Sequence, residues 1–164
     1  MASKTDFTPE EWSQIRKSPL MASIAVVAAS PSGPVGVIKE MFAAGKLLAD
    51  TQGQKGKNAL IDAVMTDLSS AEGRGQAQPK LSGKSPDEVR NAALDGLRQV
   101  ATLVDQKAPA EADGFKSWLL SLSNRVAEAA KEGGFLGIGG IRVSEQETNA
   151  MKATAMALGL STKA

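Results

Sequence analysis

Apolar residues recur at the three- and four-residue spacing of helices along most of this chain. No segment shows the sustained two-residue alternation that is typical of a half-buried β-strand. The pattern therefore predicts an all-α fold, a compact bundle of about seven helices. The clearest apolar stripes are Ile38, Met41, Phe42, Gly45 and Leu48; Leu60, Ile61, Val64, Met65 and Leu68; Val89, Ala93, Leu97, Val100 and Val104; and Phe115, Leu119, Leu122, Val126 and Ala129.

Three helix starts are marked by capping boxes, in which a Ser or Thr is followed three residues later by Glu. The boxes span 8–11, 85–88 and 144–147. In the first two boxes, proline stands at the first helical position. The amide at this position has no hydrogen-bond partner within the helix, so proline costs no hydrogen bond there. Phe7 and Trp12 also have the spacing of a hydrophobic staple. We therefore expect helices to begin directly after Thr8, Ser85 and Ser144.

The most apolar run of the chain covers 20–29 and lies between Pro19 and Pro31. It is about half the length that a membrane-spanning helix requires, which is roughly twenty residues. Since proline breaks the helical hydrogen-bond pattern, the run is predicted to be a separate, short and buried helix.

A polar segment over 69–86 divides the chain into two helical halves, 7–69 and 85–160. The segment contains three glycines and two prolines, and Leu81 is its only large apolar residue. This composition predicts an exposed and mobile crossover between the halves. We expect the halves to share one core, so that residues 1–164 form a single domain.

The chain contains no histidine, cysteine or tyrosine. Disulfides and thiolate chemistry are therefore excluded, and the Glu-x-x-His metal sites of helical bundles cannot be formed. An all-carboxylate magnesium site remains open, but no helix carries acids three or four residues apart except at a cap. We predict no catalytic residue, no metal ion and no cofactor.

The formal net charge of +1 does not favour nucleic acid or an acidic membrane as the partner of the whole surface. The polar loops contain most of the candidate basic residues but have no aromatic residues on which bases could stack, so we expect no nucleic-acid partner. The N-terminal residues lack the apolar stretch of a secretory signal, which favours a cytoplasmic protein. The basic loop residues are Lys46, Lys55, Lys57, Arg74, Lys80 and Lys84.

Lys39 and Glu40 interrupt the apolar pattern over 35–48, so one or both are expected to be partly buried. They form either an ordinary ion pair or a solvated edge, and the alternative is a ligand-binding or catalytic role. Asp62 and Asp67 are five residues apart and do not share the face that a spacing of four would give them. We interpret these two aspartates as surface acids.

A glycine-rich apolar segment, GGFLGIGGIRV, covers 133–143. We expect the segment to fold back onto the core with Phe135 and Ile138 buried, and the alternative is that its backbone amides bind an anion beside the following helix. A third interpretation is that its apolar side chains remain exposed and bind a partner. The candidate binding residues of this segment are Phe135, Leu136, Gly137, Ile138, Gly139 and Gly140.

The opening FTPEEW, the turn PSGPVGVIKE and the segment GGFLGIGGIRVSEQE before an Ala-rich helix resemble a family of small uncharacterised bacterial helical proteins. This resemblance implies a bacterial, all-helical protein and supplies no catalytic residue. The segment over 143–161 is also similar to helices of tellurite-resistance B type proteins. Those proteins place an Asp-Gly pair of an acidic metal-binding loop before the helix, whereas this chain has residues 139–142, GGIR, there. The second resemblance therefore implies no metal site.

We expect a non-enzymatic protein-interaction or regulatory module, with a protein partner or self-association. The alternative is a small-molecule or anion-binding protein, or a hydrolytic enzyme that uses Lys39 and Glu40 in a pocket between the two helical halves.

Overall fold

The computed structural model describes residues 1–29, 38, 42, 45–49, 55–81, 85–131 and 145–161. Within these ranges the chain forms six α-helices and no β-strand, which confirms the all-α prediction. A short 3-10 turn, Lys4–Asp6, precedes the first helix. The helices are α1 (Pro9–Val27), α2 (Ala59–Asp67), α3 (Ala71–Gln76), α4 (Pro86–Lys107), α5 (Pro109–Lys131) and α6 (Glu145–Ala157).

Two of the three predicted capping boxes are present. The Thr8 hydroxyl accepts a hydrogen bond from the amide of Glu11, whose carboxylate accepts one from the amide of Thr8. Ser85 and Glu88 form the same reciprocal pair at the start of α4. The third start, at Ser144, lies outside the described residues, and α6 begins at the next position.

The prediction that a separate apolar helix begins after Pro19 is wrong, because α1 continues through this residue. Proline cannot supply the amide hydrogen that would reach the carbonyl oxygen of Ile15. The buried Ser18 hydroxyl donates to that oxygen instead, at 2.7 Å. The carbonyl oxygen of Ile15 therefore keeps a hydrogen-bond donor. Burial of the apolar half of α1 stabilises the helix beyond Pro19.

Helix α1 lies at the centre of the fold and packs against α4, α5 and α6. Its buried alanines, Ala22 and Ala25, allow the neighbouring helices to approach closely. The buried Ser123 hydroxyl of α5 donates to the carbonyl oxygen of Ala22 at 2.8 Å, which joins the two helices inside the core. One cluster of buried apolar residues includes side chains from both sides of the 69–86 segment, among them Ile15, Ile24, Leu60, Leu97, Phe115 and Leu158.

The 69–86 segment contains a helix that was not predicted, α3. The Ser70 hydroxyl caps this helix by accepting a hydrogen bond from the amide of Gly73 at 3.0 Å. Gly73, Ala77 and Pro79 are buried, so the prediction that the whole segment is exposed is wrong. The predicted mobility of the segment stays a prediction.

Candidate functional site

An open groove with a volume of about 580 Å³ runs along one face of α2. We call it the α2 groove. Its other described walls come from the 3-10 turn over 46–49, the turn over 55–57 and the start of α3. This volume lies within the range of about 300 to 1,000 Å³ that is typical of ligand-binding pockets.

Helix α2 and the two residues that follow it contribute two parallel rows of side chains to the groove. The apolar row is Ile61, Met65 and Leu68, and the polar row beside it is Asp62, Thr66 and Ser69. Both rows step by four and then three residues, which keeps each of them on a single line along the helix. Ile61 and Leu68 are buried, Met65 is half-buried, and Thr66 and Ser69 are exposed. The groove therefore has an apolar floor with a polar edge.

Four cationic side chains of the described residues lie in or beside the groove. Lys55 and Arg74 line it, Lys46 follows the lining residue Gly45, and Lys57 lies in the same turn as Lys55. The Arg74 guanidinium donates to the carbonyl oxygens of residues 68 and 69, both at 2.9 Å, and so caps the last turn of α2. The three lysines are exposed, and none forms an ion pair with a carboxylate of the described residues.

Asp62 is the carboxylate among the described residues that line the groove. Its two oxygens accept hydrogen bonds from the amide of Gly56 at 2.9 and 3.1 Å. Gly56 has a φ of 80°, a left-handed conformation that favours glycine. Asp62 thus fixes the turn that carries Lys55 and Lys57 against the side of α2.

The N-terminal end of α2 is fixed by Asn58. Its side-chain oxygen accepts hydrogen bonds from the amides of Leu60 and Ile61, at 3.1 and 3.0 Å. Its Nδ2 atom donates to the carbonyl oxygen of Glu111 in the first turn of α5, at 2.9 Å. A methyl group on Gly114 would lie 2.7 Å from this Nδ2 atom, so the contact depends on the absence of a side chain there.

The C-terminal end of α2 is fixed by Asp67. Its Oδ2 atom accepts a hydrogen bond from Trp12 Nε1 at 2.6 Å, and Lys4 Nζ lies 3.0 Å from its Oδ1 atom. Arg16 approaches Oδ2 at 3.4 Å and donates to Gln76 Oε1 at 2.9 Å, which connects α1, α2 and α3. The interpretation of Asp67 as a simple surface acid is therefore wrong.

The charge of Asp67 is stabilised by this network. Burial raises the pKa of its carboxyl group, but the hydrogen bonds from Trp12 and Lys4 and the charges of Lys4 and Arg16 lower it more strongly. The net pKa is below the ordinary aspartate value, so the carboxylate is ionised at neutral pH. Sequence reasoning missed the network because the partners of Asp67 lie 51 to 63 residues away in the chain.

A second, shallower groove of about 460 Å³ lies between α1 and α4, and thus between the two predicted halves. Its described lining consists of Gln14, Arg98, Gln99, Thr102, Leu103 and Gln106. Arg98 forms an ion pair with Asp95 of the same helix. None of these described lining residues has a carboxylate, and the hydrolytic alternative stays a prediction because Lys39 and Glu40 lie outside the described residues.

The candidate residues from the sequence lie outside the described residues. These are Lys39, Glu40, Phe135, Leu136, Gly137, Ile138, Gly139 and Gly140, and their proposed roles stay predictions. Conversely, Met65 was predicted only as part of a helical stripe, and Lys55 and Arg74 only as solvated loop residues. The concentration of basic residues on both sides of the α2 stripe is a signal of these lining residues, but by itself it does not distinguish a groove from solvated loops.

In the part of the chain that the structure describes, no three acidic side chains lie together in a group that could hold a metal ion. No described helix combines the length and the apolar character needed to cross a membrane. The chain matches no protein-family model, no curated protein sequence and no solved structure.

Proposed function

We propose that this chain is a non-enzymatic interaction module and that the α2 groove binds a segment of another protein. The observation that carries the proposal is a groove of about 580 Å³ in which the half-buried Met65 lies beside the exposed Thr66 and Ser69, along a helix that is fixed at both ends. An apolar centre with a polar rim is the usual arrangement of a protein interface. Since Asn58 and Asp67 already hold α2 in place, binding requires little further ordering of this surface.

The polar side chains of the groove support binding rather than catalysis. The Thr66 and Ser69 hydroxyls donate to the backbone carbonyl oxygens of residues 62 and 66, at 2.8 and 2.7 Å. Asp62 is engaged by the amide of Gly56. The described lining therefore contains no hydroxyl that is hydrogen-bonded to a carboxylate base, which nucleophilic catalysis by serine or threonine requires.

A small-molecule binder is the second candidate, and the volume of the α2 groove favours it, because about 580 Å³ also suits a small organic ligand. In this case the apolar floor would bind the body of the ligand, and Lys55 or Arg74 would bind an anionic group. A hydrolytic function would further require Lys39 and Glu40, as the sequence hypothesis states.

The chain offers two matched threonines for a test. Thr66 lines the α2 groove and Thr102 lines the shallow groove. Both are exposed helical residues whose hydroxyls donate to the carbonyl four residues earlier, at 2.8 and 3.1 Å. The Thr66→Arg and Thr102→Arg variants therefore introduce the same charge and bulk in equivalent local settings.

Tagged wild-type protein and both variants are purified from the native host cells, and the captured proteins are quantified by mass spectrometry. We expect at least one protein to be lost with Thr66→Arg and retained with Thr102→Arg. Equal capture by all three proteins would contradict the proposal. Loss of a small molecule instead of a polypeptide, seen by native mass spectrometry, would favour the second candidate.

A further inference from the structure

We infer that α3 is a movable wall of the α2 groove, a helix that detaches from the bundle and returns while α1, α4 and α5 stay packed. The inference concerns the motion of α3 and does not depend on the proposed function, because the motion can be measured without any partner. Three properties of α3 lead to it, which are its small apolar contact, its weak helix propensity and the polar contacts that hold it in place.

Helix α3 buries very little apolar surface. The buried residue within it is Gly73, which has no side chain, and the residue that ends it, Ala77, contributes one methyl group to the apolar cluster. In the part of the chain that the structure describes, α3 makes only sparse contacts with each of the other helices. Since apolar burial is the main force that holds a helix on a bundle, α3 is held more weakly than α1 or α4.

The sequence AEGRGQ also makes α3 a weak helix by itself. It has six residues, fewer than two full turns, and two of them are glycines. A helix this short is unstable in water without tertiary contacts, and each glycine lowers its stability relative to alanine. Once α3 detaches, we therefore expect it to lose its helical hydrogen bonds as well.

The contacts that hold α3 in place include two polar ones. The Arg74 guanidinium donates to the carbonyl oxygens of residues 68 and 69, directly after α2. Gln76 Oε1 accepts a hydrogen bond from Arg16 of α1 at 2.9 Å. The Arg16 Nε atom is buried and has no hydrogen-bond partner among the described residues. Because this contact leaves a buried donor unpaired, it stabilises the closed position less than a fully paired contact would.

Detachment of α3 would change the groove directly. Arg74 lines the groove and caps the last turn of α2. When α3 leaves, the groove loses this wall and α2 loses its cap. The core is little affected, since Ala77 is a small part of the apolar cluster. The open state is therefore a locally unfolded form of the protein, of lower free energy than the globally unfolded chain.

Thiol labelling of the full chain tests this motion, because the sequence has no cysteine of its own. A single cysteine replaces either Ala77 at the end of α3 or Ala93 in α4, which are both fully buried alanines. Circular dichroism checks that the two variants are folded, and the rate of labelling is measured from zero to low urea. We expect Ala77→Cys to react at least about tenfold faster than Ala93→Cys. Its rate should change little with urea, because a local opening exposes little surface, whereas the rate at position 93 should rise steeply.

Gly75→Ala tests whether the helix itself unfolds in the opening. An added methyl group at this position has open space, and alanine favours the helix. In the Ala77→Cys protein, Gly75→Ala should therefore slow labelling roughly threefold. Gln76→Met removes the bond with Arg16 at similar helix propensity, and it should speed labelling roughly fivefold.

Hydrogen exchange of the wild-type protein provides a measurement that no cysteine can disturb. Amides of α3 should exchange at least about tenfold faster than those in the middle of α4. Equal protection of the two helices would overturn the inference. So would the same urea dependence of labelling at positions 77 and 93, or a rate at position 77 that Gly75→Ala leaves unchanged. The proposed function fails separately, when Thr66→Arg and Thr102→Arg capture the same proteins whatever the labelling rates are.

Discussion

At the scale of single residues, the central helix depends on one serine hydroxyl. Pro19 deprives the carbonyl oxygen of Ile15 of its usual amide donor, and the Ser18 hydroxyl takes the place of that donor. Both Ser18 and Ile15 are fully buried, so water cannot satisfy the oxygen if the hydroxyl is removed. The sequence pair Ser-Pro therefore allows a continuous helix where proline alone would interrupt it.

Replacing Ser18 with alanine should lower the free energy of unfolding by about 1 to 2 kcal/mol, because a buried acceptor is left unsatisfied. In a Pro19→Ala background the restored amide can donate to Ile15, so the same substitution should cost clearly less. Chemical denaturation of the four proteins measures this coupling. Equal costs of Ser18→Ala in the two backgrounds would contradict the compensation.

Ser121 provides a control for the loss of a serine hydroxyl in a helix. Its hydroxyl also donates to the carbonyl three residues earlier, at 2.7 Å. The following residue is Leu122, which retains its amide hydrogen. Ser121→Ala should therefore cost less than Ser18→Ala.

At the scale of the elements, α3 completes the support of the groove. Its Arg74 caps α2, and its Gly73 packs so closely against the end of α2 that an added methyl group would collide with the carbonyl oxygen of Asp67. Gly75 of the same helix has no neighbouring atom in reach of such a methyl group. Of these two glycines, only Gly73 is required by close packing.

Gly73→Ala should destabilise the protein by about 3 kcal/mol, because the clash involves backbone and cannot be relieved by rotating a side chain. Gly75→Ala should instead stabilise it by about 0.5 to 1 kcal/mol through its helix propensity. Thermal unfolding followed by circular dichroism distinguishes the two. A stabilising Gly73→Ala would show that α3 does not pack against α2 as described.

The elements also show what the sequence can predict. The starts at Thr8 and Ser85 were predicted correctly because the capping signal lies within four residues of chain. Helix α3 was missed because its two glycines lower its propensity, and its place is decided by contact with α2. The break predicted at Pro19 failed because burial and the Ser18 hydroxyl outweighed the local rule. The groove could not be predicted, since it depends on pairs such as Asp67 with Trp12 that are far apart in sequence.

At the scale of the whole molecule, the fold presents α2 as a fixed surface element. The central helix α1 holds the C-terminal end of α2 through Trp12 and Arg16, and α5 holds its N-terminal end through Asn58. These connections join residues from both sides of the 69–86 segment. Under the proposed function, these connections support α2, and the α2 groove binds the partner.

Site-specific photo-crosslinking in the native host cells tests this central claim most directly. The photoreactive residue benzoylphenylalanine replaces either Thr66 in the α2 groove or Thr102 in the shallow groove, and the mass of each adduct is determined. We predict a discrete polypeptide adduct from position 66 and none of comparable yield from position 102. No adduct at position 66, or the same adducts from both positions, would contradict it.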